Sequence, residues 1–383
     1  MTLEQVLKRA YLVGGAVRDE LLGAPVKERD WLVVGCSQED MLSAGFTRLD
    51  PEFPVFLHPK TKEEYALARR EKQSGDGYRG FVVDLDNVSL SEDLQRRDLT
   101  INAMVRDAEG QLIDLHEGVS DLNEGLLRHV TEAFAEDPVR LLRTARFAAQ
   151  LGSRFRVSHK TNKLMRQMVS AQMLKQISPQ RLGREINKAF AGIHPWRFFE
   201  VLEGCGGLSV WLPELSSELS GAAHGEGRRS VALEALQRAS QKSELADVRF
   251  SVFALADKPS ALELLRIADL PKRLIDLTQG LMSVITQDVN TLSANEWCDL
   301  FEAAQLWSAG DLSDKRWQVI ELLLKDDELS SALKASREAV IGINRDSIVD
   351  KTLSGKALGD AIKQQKRDII CQMLDEVIQH GDR

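Results

Sequence analysis

Residues 136–147 read EDPVRLLRTARF, with Arg140, Arg143 and Arg146 at intervals of three behind Asp137. Pro138 stands where a helix tolerates proline best, at its first position, so a helix would open at Asp137. At about 100° per residue, steps of three spread the guanidiniums over a stripe about 120° wide, with Asp137 at its leading edge. Leu141, Leu142 and Ala145 lie mostly off that stripe and can face a core. One reading is a solvated face of i,i+3 ion pairs. The other is a rack of donors for phosphates, plus one acceptor and one donor for a base.

Further chemistry lies upstream. In LVGGAVRDELLG (12–23), two glycines between a strand and a helix let the backbone approach a phosphate. The helix start would add N–H groups, and Arg18 projects one turn in. In KERDW (27–31), Glu28 and Asp30 stand two apart at the start of a strand, so both side chains face one way. Two carboxylates on one face make an oxygen-rich site for Mg²⁺. A solvated strand edge would show the same pair, but the glycine turn just upstream favours the metal. In DLQRRDLTINA (93–103), Arg96, Arg97 and Asp98 precede an apolar segment expected as a strand. Alone, they read equally as a surface charge cluster.

The elements that must position these groups follow from periodicity. YLVGG (11–15), DWLVVG (30–35), VFLH (55–58) and EYALARR (64–70) read as strands. AVRDELLG (16–23) is a short helix ended by Gly23, and SQEDMLSAG (37–45) a helix capped by its serine. EKQSGDGYRG (71–80) has no periodicity and reads as a flexible loop; NAMVRDAEGQLIDL (102–115) is a hairpin around DAEG. From about residue 125 the pattern turns helical to the end, as in ALELLRIADL (261–270) and KRDIICQMLDEVIQ (366–379). SSELSGAAHGEGRRS (216–230) is the best candidate boundary.

Composition narrows the class. The 383 residues suffice for two to three domains, and 43% apolar with 28% charged content is ordinary for a soluble globular protein. No apolar run approaches a membrane span, and the N-terminus lacks a signal-peptide layout. A cytoplasmic protein without a membrane partner is expected. Cys36, Cys205, Cys298 and Cys371 are far apart in sequence and make no CxxC pair, so they read as reduced thiols. Net charge is −8, yet residues 139–190 hold twelve Lys/Arg and one acid, Glu185. A basic island in an acidic chain is a footprint for phosphate binding.

LVGGAVRD, the paired acids before WLVVG, RRDLTINA, IDLHEGVSDLNEGLLRHV and EDPVRLLRTARF stand in the order found in class II tRNA nucleotidyltransferases. The chain resembles that family densely over residues 10–215 and thinly beyond. The FPVFLHP stretch (53–59) is similar to the CCA-adding members, and the basic GRRFR-like stretch of the related bacterial poly(A) polymerases is missing. The resemblance implies an α+β fold: a polymerase-β-like head of mixed sheet and helices (1–136), an all-α neck (137–215), and an all-α body and tail for tRNA (216–383). It implies addition of CCA to tRNA from CTP and ATP, with Mg²⁺, by a monomer or weak dimer. Gly15 and Arg18 would bind the triphosphate, Glu28 and Asp30 the metals, and Glu64 would be a third carboxylate. Arg97 would touch sugar or phosphate, Asp137 and Arg140 would read the base, and Arg143 and Arg146 would complete the pocket. Glu28 departs from the family's usual Asp. An A-adding, CC-adding or poly(A)-forming relative, or an inactive RNA-binding one, stays open as an alternative. Some relatives carry an HD phosphohydrolase domain downstream. Here no histidine stands between His224 and His380, and FALADKPS (253–260) replaces the His-Asp pair, so no intact hydrolase site is expected.

Overall fold

The structure, a computed structural model, describes residues 1–49, 53–73, 81–221 and 230–381. It divides into two compact units: residues 1–178 with 197–210, and residues 179–196 with 211–383. The neck segment 137–215 expected from sequence thus contributes to both.

The first unit opens with α1 (Leu3–Leu7), β1 (Ala10–Val13), α2 (Gly15–Leu21), β2 (Asp30–Val33) and α3 (Gln38–Ser43). Next come β3 (Thr47–Arg48), β4 (Val55–Leu57), β5 (Glu64–Leu67), β6 (Arg70–Gln73), β7 (Phe81–Asp84) and α4 (Leu90–Gln95). After a 3₁₀ turn at Thr100–Asn102 follow β8 (Met104–Arg106), β9 (Leu112–Asp114) and α5 (Gly118–Glu124). Seven strands form one sheet in the order β3-β4-β5-β2-β1-β8-β9. Only β2 and β5 run parallel; the other neighbours are antiparallel, which makes the sheet mixed. Apolar residues bury it from within: Leu12, Val13, Leu32, Val33, Leu67 and Val105 are all nearly inaccessible. Ser37 caps α3 by a capping box with Asp40, as its sequence suggested.

Two expectations change. EKQ of EKQSGDGYRG is not loop: β6 and β7 pair as an antiparallel hairpin from Arg70↔Asp84 to Gln73↔Phe81. The pairing strand lies beyond the segment, so local periodicity could not reveal it. The glycine-rich remainder, 74–80, lies outside the described residues. The DLTINA segment after Arg97 begins not as a strand but as the 3₁₀ turn, with β8 starting only at Met104.

Helices dominate from α6 (Val139–Leu151) onward, with one exception. A two-residue parallel pair joins β10 (Leu126–Leu127) to β11 (Arg156–Val157), just before α7 (His159–Ser170). On α6, Leu141, Leu142, Ala145 and Ala148 are fully buried; each leucine contributes about 1.5–3 kcal/mol by leaving water.

The second unit is built of helices around a core that includes Trp297, Phe301, Leu333 and Ile370. It brings together two cysteines that are remote in sequence: Cys298 and Cys371 Sγ lie 3.1 Å apart, both as free thiols. Most of the boundary stretch 216–230, including His224, lies outside the described residues. No helix among the described residues is long and apolar enough to cross a membrane.

Candidate active site

The β1–β2 register sets the glycine turn against the first acids. Val13, the last residue before the glycines, pairs with Asp30. Gly14 then turns with φ +67°, a left-handed backbone that a side chain would strain. A Cβ there would also stand 3.4 Å from Arg97 Nη1, so the turn is fitted closely against that guanidinium. The α2 helix that follows has only seven residues. Its dipole is therefore short, and the helix start alone offers little to an anion.

Asp30 begins β2, while Glu28 lies in the chain just ahead of it, outside the strand. The two carboxylates still feel each other. Asp30 reaches solvent, yet the protein around it desolvates it enough to push its pKa up; Glu28's charge raises it further, and Arg97 opposes both. On the next strand, parallel pairing makes Glu64 the register partner of Asp30. Among the described residues no group of three His, Cys, Asp or Glu side chains is drawn close enough to hold a metal ion. The donor set fits a hard cation all the same: two acidic oxygen donors whose mutual repulsion a divalent ion would relieve, with further oxygens to come from phosphates.

Arg18 is buried, and its contacts fix its head. Nε and Nη2 donate to Asp19 Oδ1 at 2.9 and 2.8 Å, and Nη1 donates to Asn102 Oδ1 at 2.7 Å. Arg97 donates to Asp93 Oδ2 at 3.3 Å. Its Nε is buried without a hydrogen-bond partner, an unmet donor beside the glycine turn.

Sequence reasoning passed over the group that links these residues to α6. Asp98 is buried and fully engaged. Its Oδ1 accepts from the Leu99 N–H at 2.8 Å and Asn102 Nδ2 at 3.0 Å, and its Oδ2 accepts from Arg143 Nε at 2.6 Å. Burial alone would raise its pKa, but Arg143's charge and these hydrogen bonds hold it well below the usual carboxylate range. In the sequence it stood as one more charge behind Arg96 and Arg97, with Asn102 four residues on.

The arginine stripe on α6 is not a solvated face. Arg140 and Arg146 are 9% and 6% exposed. Arg140 Nη1 donates to the Ala133 carbonyl at 2.8 Å, and Arg146 Nη1 donates to Gln150 Oε1 at 2.5 Å. Asp137, half-buried, accepts from the Val139 N–H at 3.1 Å, so it also satisfies a free donor at the helix start. Phe147, unremarked in the sequence reading, collects three guanidiniums around its ring: Arg146 at 4.0 Å, Arg18 at 5.1 Å and Arg143 at 5.6 Å from the centroid. Through it, Arg18 of the glycine turn meets the arginine helix. Glu64 stands beside Asp30 in the sheet and Gly15 begins the helix that carries Arg18, while Asp137 and Arg140 bond within and just ahead of α6.

Part of the basic island forms a second feature. Arg154, Arg156, Lys160 and Lys163 are exposed. A cleft of about 510 Å³ opens among Arg128, Arg156, Ser158, His159, Lys160 and Asn162.

A mixed sheet that sets a glycine turn beside paired acids, flanked by buried arginines, defines a nucleotidyltransferase head. Residues 10–128 match the family model described as the poly A polymerase head domain. Residues 154–219 match that of the probable RNA- and SrmB-binding site of polymerase A. A CCA-adding enzyme of Marinobacter nauticus is 39% identical over 94% of this chain and 96% of its own length. A multifunctional CCA protein of Thioalkalivibrio sulfidiphilus is 56% identical over 54% of this chain; the match spans about half (51%) of that relative's length. A solved tRNA nucleotidyltransferase, complexed with a primer tRNA and an incoming ATP analogue, aligns with a TM-score of 0.61 at 25% identity. That alignment covers 88% of this chain and 98% of the other. The chain belongs to the CCA-adding enzyme family of tRNA nucleotidyltransferases.

Proposed function

We propose that the chain adds CCA to the 3′ end of tRNA, using CTP and ATP and releasing pyrophosphate, in the cytoplasm and as a monomer or weak dimer. The observation that carries this reading is the burial of Arg140, three residues after Asp137, and of Arg146 further along the same helix. A merely solvated ion-pair face leaves such side chains exposed, whereas a pocket that reads a base needs them dry and fixed.

The base chemistry follows from donor–acceptor order. Cytosine presents an amino donor beside a ring acceptor, and adenine presents the same order. Asp137 accepts from the amino group and Arg140 donates to the ring nitrogen. Uracil and guanine present oxygen and then N–H, setting oxygen against carboxylate and N–H against guanidinium. A site built on such pairing can reject the wrong partner by about 10⁴ or more.

Arg18 and Arg97, at the Gly14–Gly15 turn, bind and neutralise the triphosphate. Glu28 and Asp30 would hold Mg²⁺; Glu64, beside Asp30 in the sheet, does not close with them into a three-acid cluster. When bound, the metal lowers the pKa of the primer 3′-hydroxyl and offsets charge on the departing pyrophosphate. The primer oxygen bonds to the α-phosphorus as the bond to the β-phosphate oxygen breaks. Head 1–136, neck 137–215 and body and tail 216–383 divide this work between chemistry, base selection and tRNA binding. The lever for the switch from C to A would lie in 74–80, outside the described residues.

Transcripts of tRNA lacking the 3′ CCA, incubated with each labelled nucleotide alone and then with CTP plus ATP, test the reading. Incorporation of C alone and of A only after C supports it. Incorporation of U or G at comparable rates refutes it.

A further inference from the structure

Cys298 and Cys371 stand 73 positions apart, and the fold brings their sulfurs to 3.1 Å. Cys298 lies on the helix Ala294–Ala303, and Cys371 on the last helix, Gly355–Gly381. Two small apolar side chains packed into a core would be the plain explanation. Three details go further. Each thiol has an acceptor besides the other sulfur: Cys298 donates to the Arg367 carbonyl at 3.4 Å, and Cys371 donates to Asn295 Oδ1 at 3.6 Å. The two differ in access, because Cys298 is fully buried and Cys371 is partly exposed. A cation also stands by: Arg367 Nη1 donates to Asp299 Oδ1 at 2.6 Å, which holds its charge within reach of both sulfurs. A cation beside a reachable thiol favours the thiolate, the form that reacts. Burial pushes the Cys298 thiol up, and the hydrogen bond and charge of Cys371 push it further, so Cys298 stays protonated at neutral pH.

We infer that Cys298 and Cys371 form a two-thiol modification site for a small hydroperoxide, which converts them to a disulfide that staples the last helix to the body of its unit. The Cys371 thiolate attacks first. An S–O bond forms as the peroxide O–O bond breaks, and the departing hydroxide takes up the proton lost by Cys371 as water. The Cys298 sulfur then attacks the Cys371 sulfur, the S–O bond breaks, and hydroxide leaves with the Cys298 proton as a second water. Two thiols lose two electrons, and the peroxide gains them. The seam gains a covalent link where its polar links are weak. Lys363–Glu302 and Arg367–Asp299 reach solvent, and such ion pairs contribute little. A bond between residues so distant removes chain entropy from the unfolded state. All of these residues belong to the second unit, so the inference stands apart from the nucleotide reading.

The test uses the folded full-length chain. It is treated with hydrogen peroxide, the remaining thiols are blocked, and unreduced peptides are mapped by mass. Cys36 and Cys205, both free and both in the first unit, serve as internal controls. The expected result is a bridge between Cys298 and Cys371 within one chain, a melting temperature raised by about 5 °C or more, and reversal of both by dithiothreitol. Cys371→Ala should leave Cys298 unoxidised, whereas Cys298→Ala should leave Cys371 as a sulfenic acid that dimedone traps. Oxidation of Cys36 while Cys298 and Cys371 stay reduced overturns the proposal. So does a bridge that forms only in denaturant, or one that leaves the melting temperature unchanged. Mapping of the unsubstituted protein decides the matter even if either variant folds poorly.

Discussion

Asp137 has two jobs, and one substitution separates them. It accepts from the Val139 N–H at the start of α6, and it is assigned the amino group of the incoming base. Asp137→Ala removes both roles, and the lost cap alone costs about 0.5–2 kcal/mol of stability. Asp137→Asn keeps the cap, because asparagine serves that position as well as aspartate. It replaces a group that only accepts with one that also donates. Facing C or A, the new N–H₂ opposes another amino group, leaving a buried donor unpaired at about 1–3 kcal/mol. At about tenfold per 1.4 kcal/mol, kcat/KM for CTP and ATP then falls about 5- to 150-fold together. Uracil gains, since its carbonyl oxygen can now accept. The assay is kcat/KM for all four nucleotides on a tRNA lacking CCA, beside a thermal melt. Asp137→Asn should melt near the unsubstituted protein, and Asp137→Ala below it. If Asp137→Asn keeps the original ranking and efficiency, the carboxylate only holds the helix and does not read the base.

Other outcomes follow from the same geometry. Glu28→Ala or Asp30→Ala should abolish transfer while leaving tRNA binding by filter retention nearly unchanged, and Glu28→Asp should stay active. Asp30's pKa is raised in the fold, so its charged form costs stability at neutral pH. Asp30→Asn should therefore raise the melting temperature of the metal-free protein at pH 7, and the gain should vanish as pH falls below the unfolded value of about 3.9. Asp98 is the opposite case: its depressed pKa stabilises the fold above about pH 3.9. Asp98→Asn should lower the melting temperature at pH 7, and the difference should shrink as pH falls through the folded-state value. Affinity for tRNA should fall steeply with salt, and charge reversal at Arg156 or Lys160 should reduce that slope without changing nucleotide choice. The whole chain should show no phosphatase or 2′,3′-cyclic phosphodiesterase activity with added Mg²⁺, Mn²⁺ or Ni²⁺, since residues 220–383 are expected to carry no hydrolase site.

Much of this arrangement could be read in advance because it is local. The glycine turn, Ser37 cap and Asp107–Gly110 hairpin turn are written in adjacent residues, and the strand–helix alternation gave the head its mixed character. Periodicity alone put Leu141, Leu142 and Ala145 in the core, where they are fully buried. What escaped depends on partners remote in the chain. The β6 strand exists because β7 pairs with it. Asp98 looked like one more charge in a basic cluster, and only the approach of Arg143, 45 residues on, makes it a buried anion. Phe147 drew no notice, because its ring gathers guanidiniums only when Arg18 arrives from the far end of the head. Glu28 was expected in a strand but precedes it, because β2 pairs with β1 only from Asp30.

Sequencing the 3′ ends formed on a tRNA lacking CCA, with all four nucleotides and Mg²⁺ present, tests the proposed activity most directly. The expected product is a single population ending in C, C and A, with extension stopping there and with no U or G. Ends carrying only A, only CC, or a long run of A would contradict it.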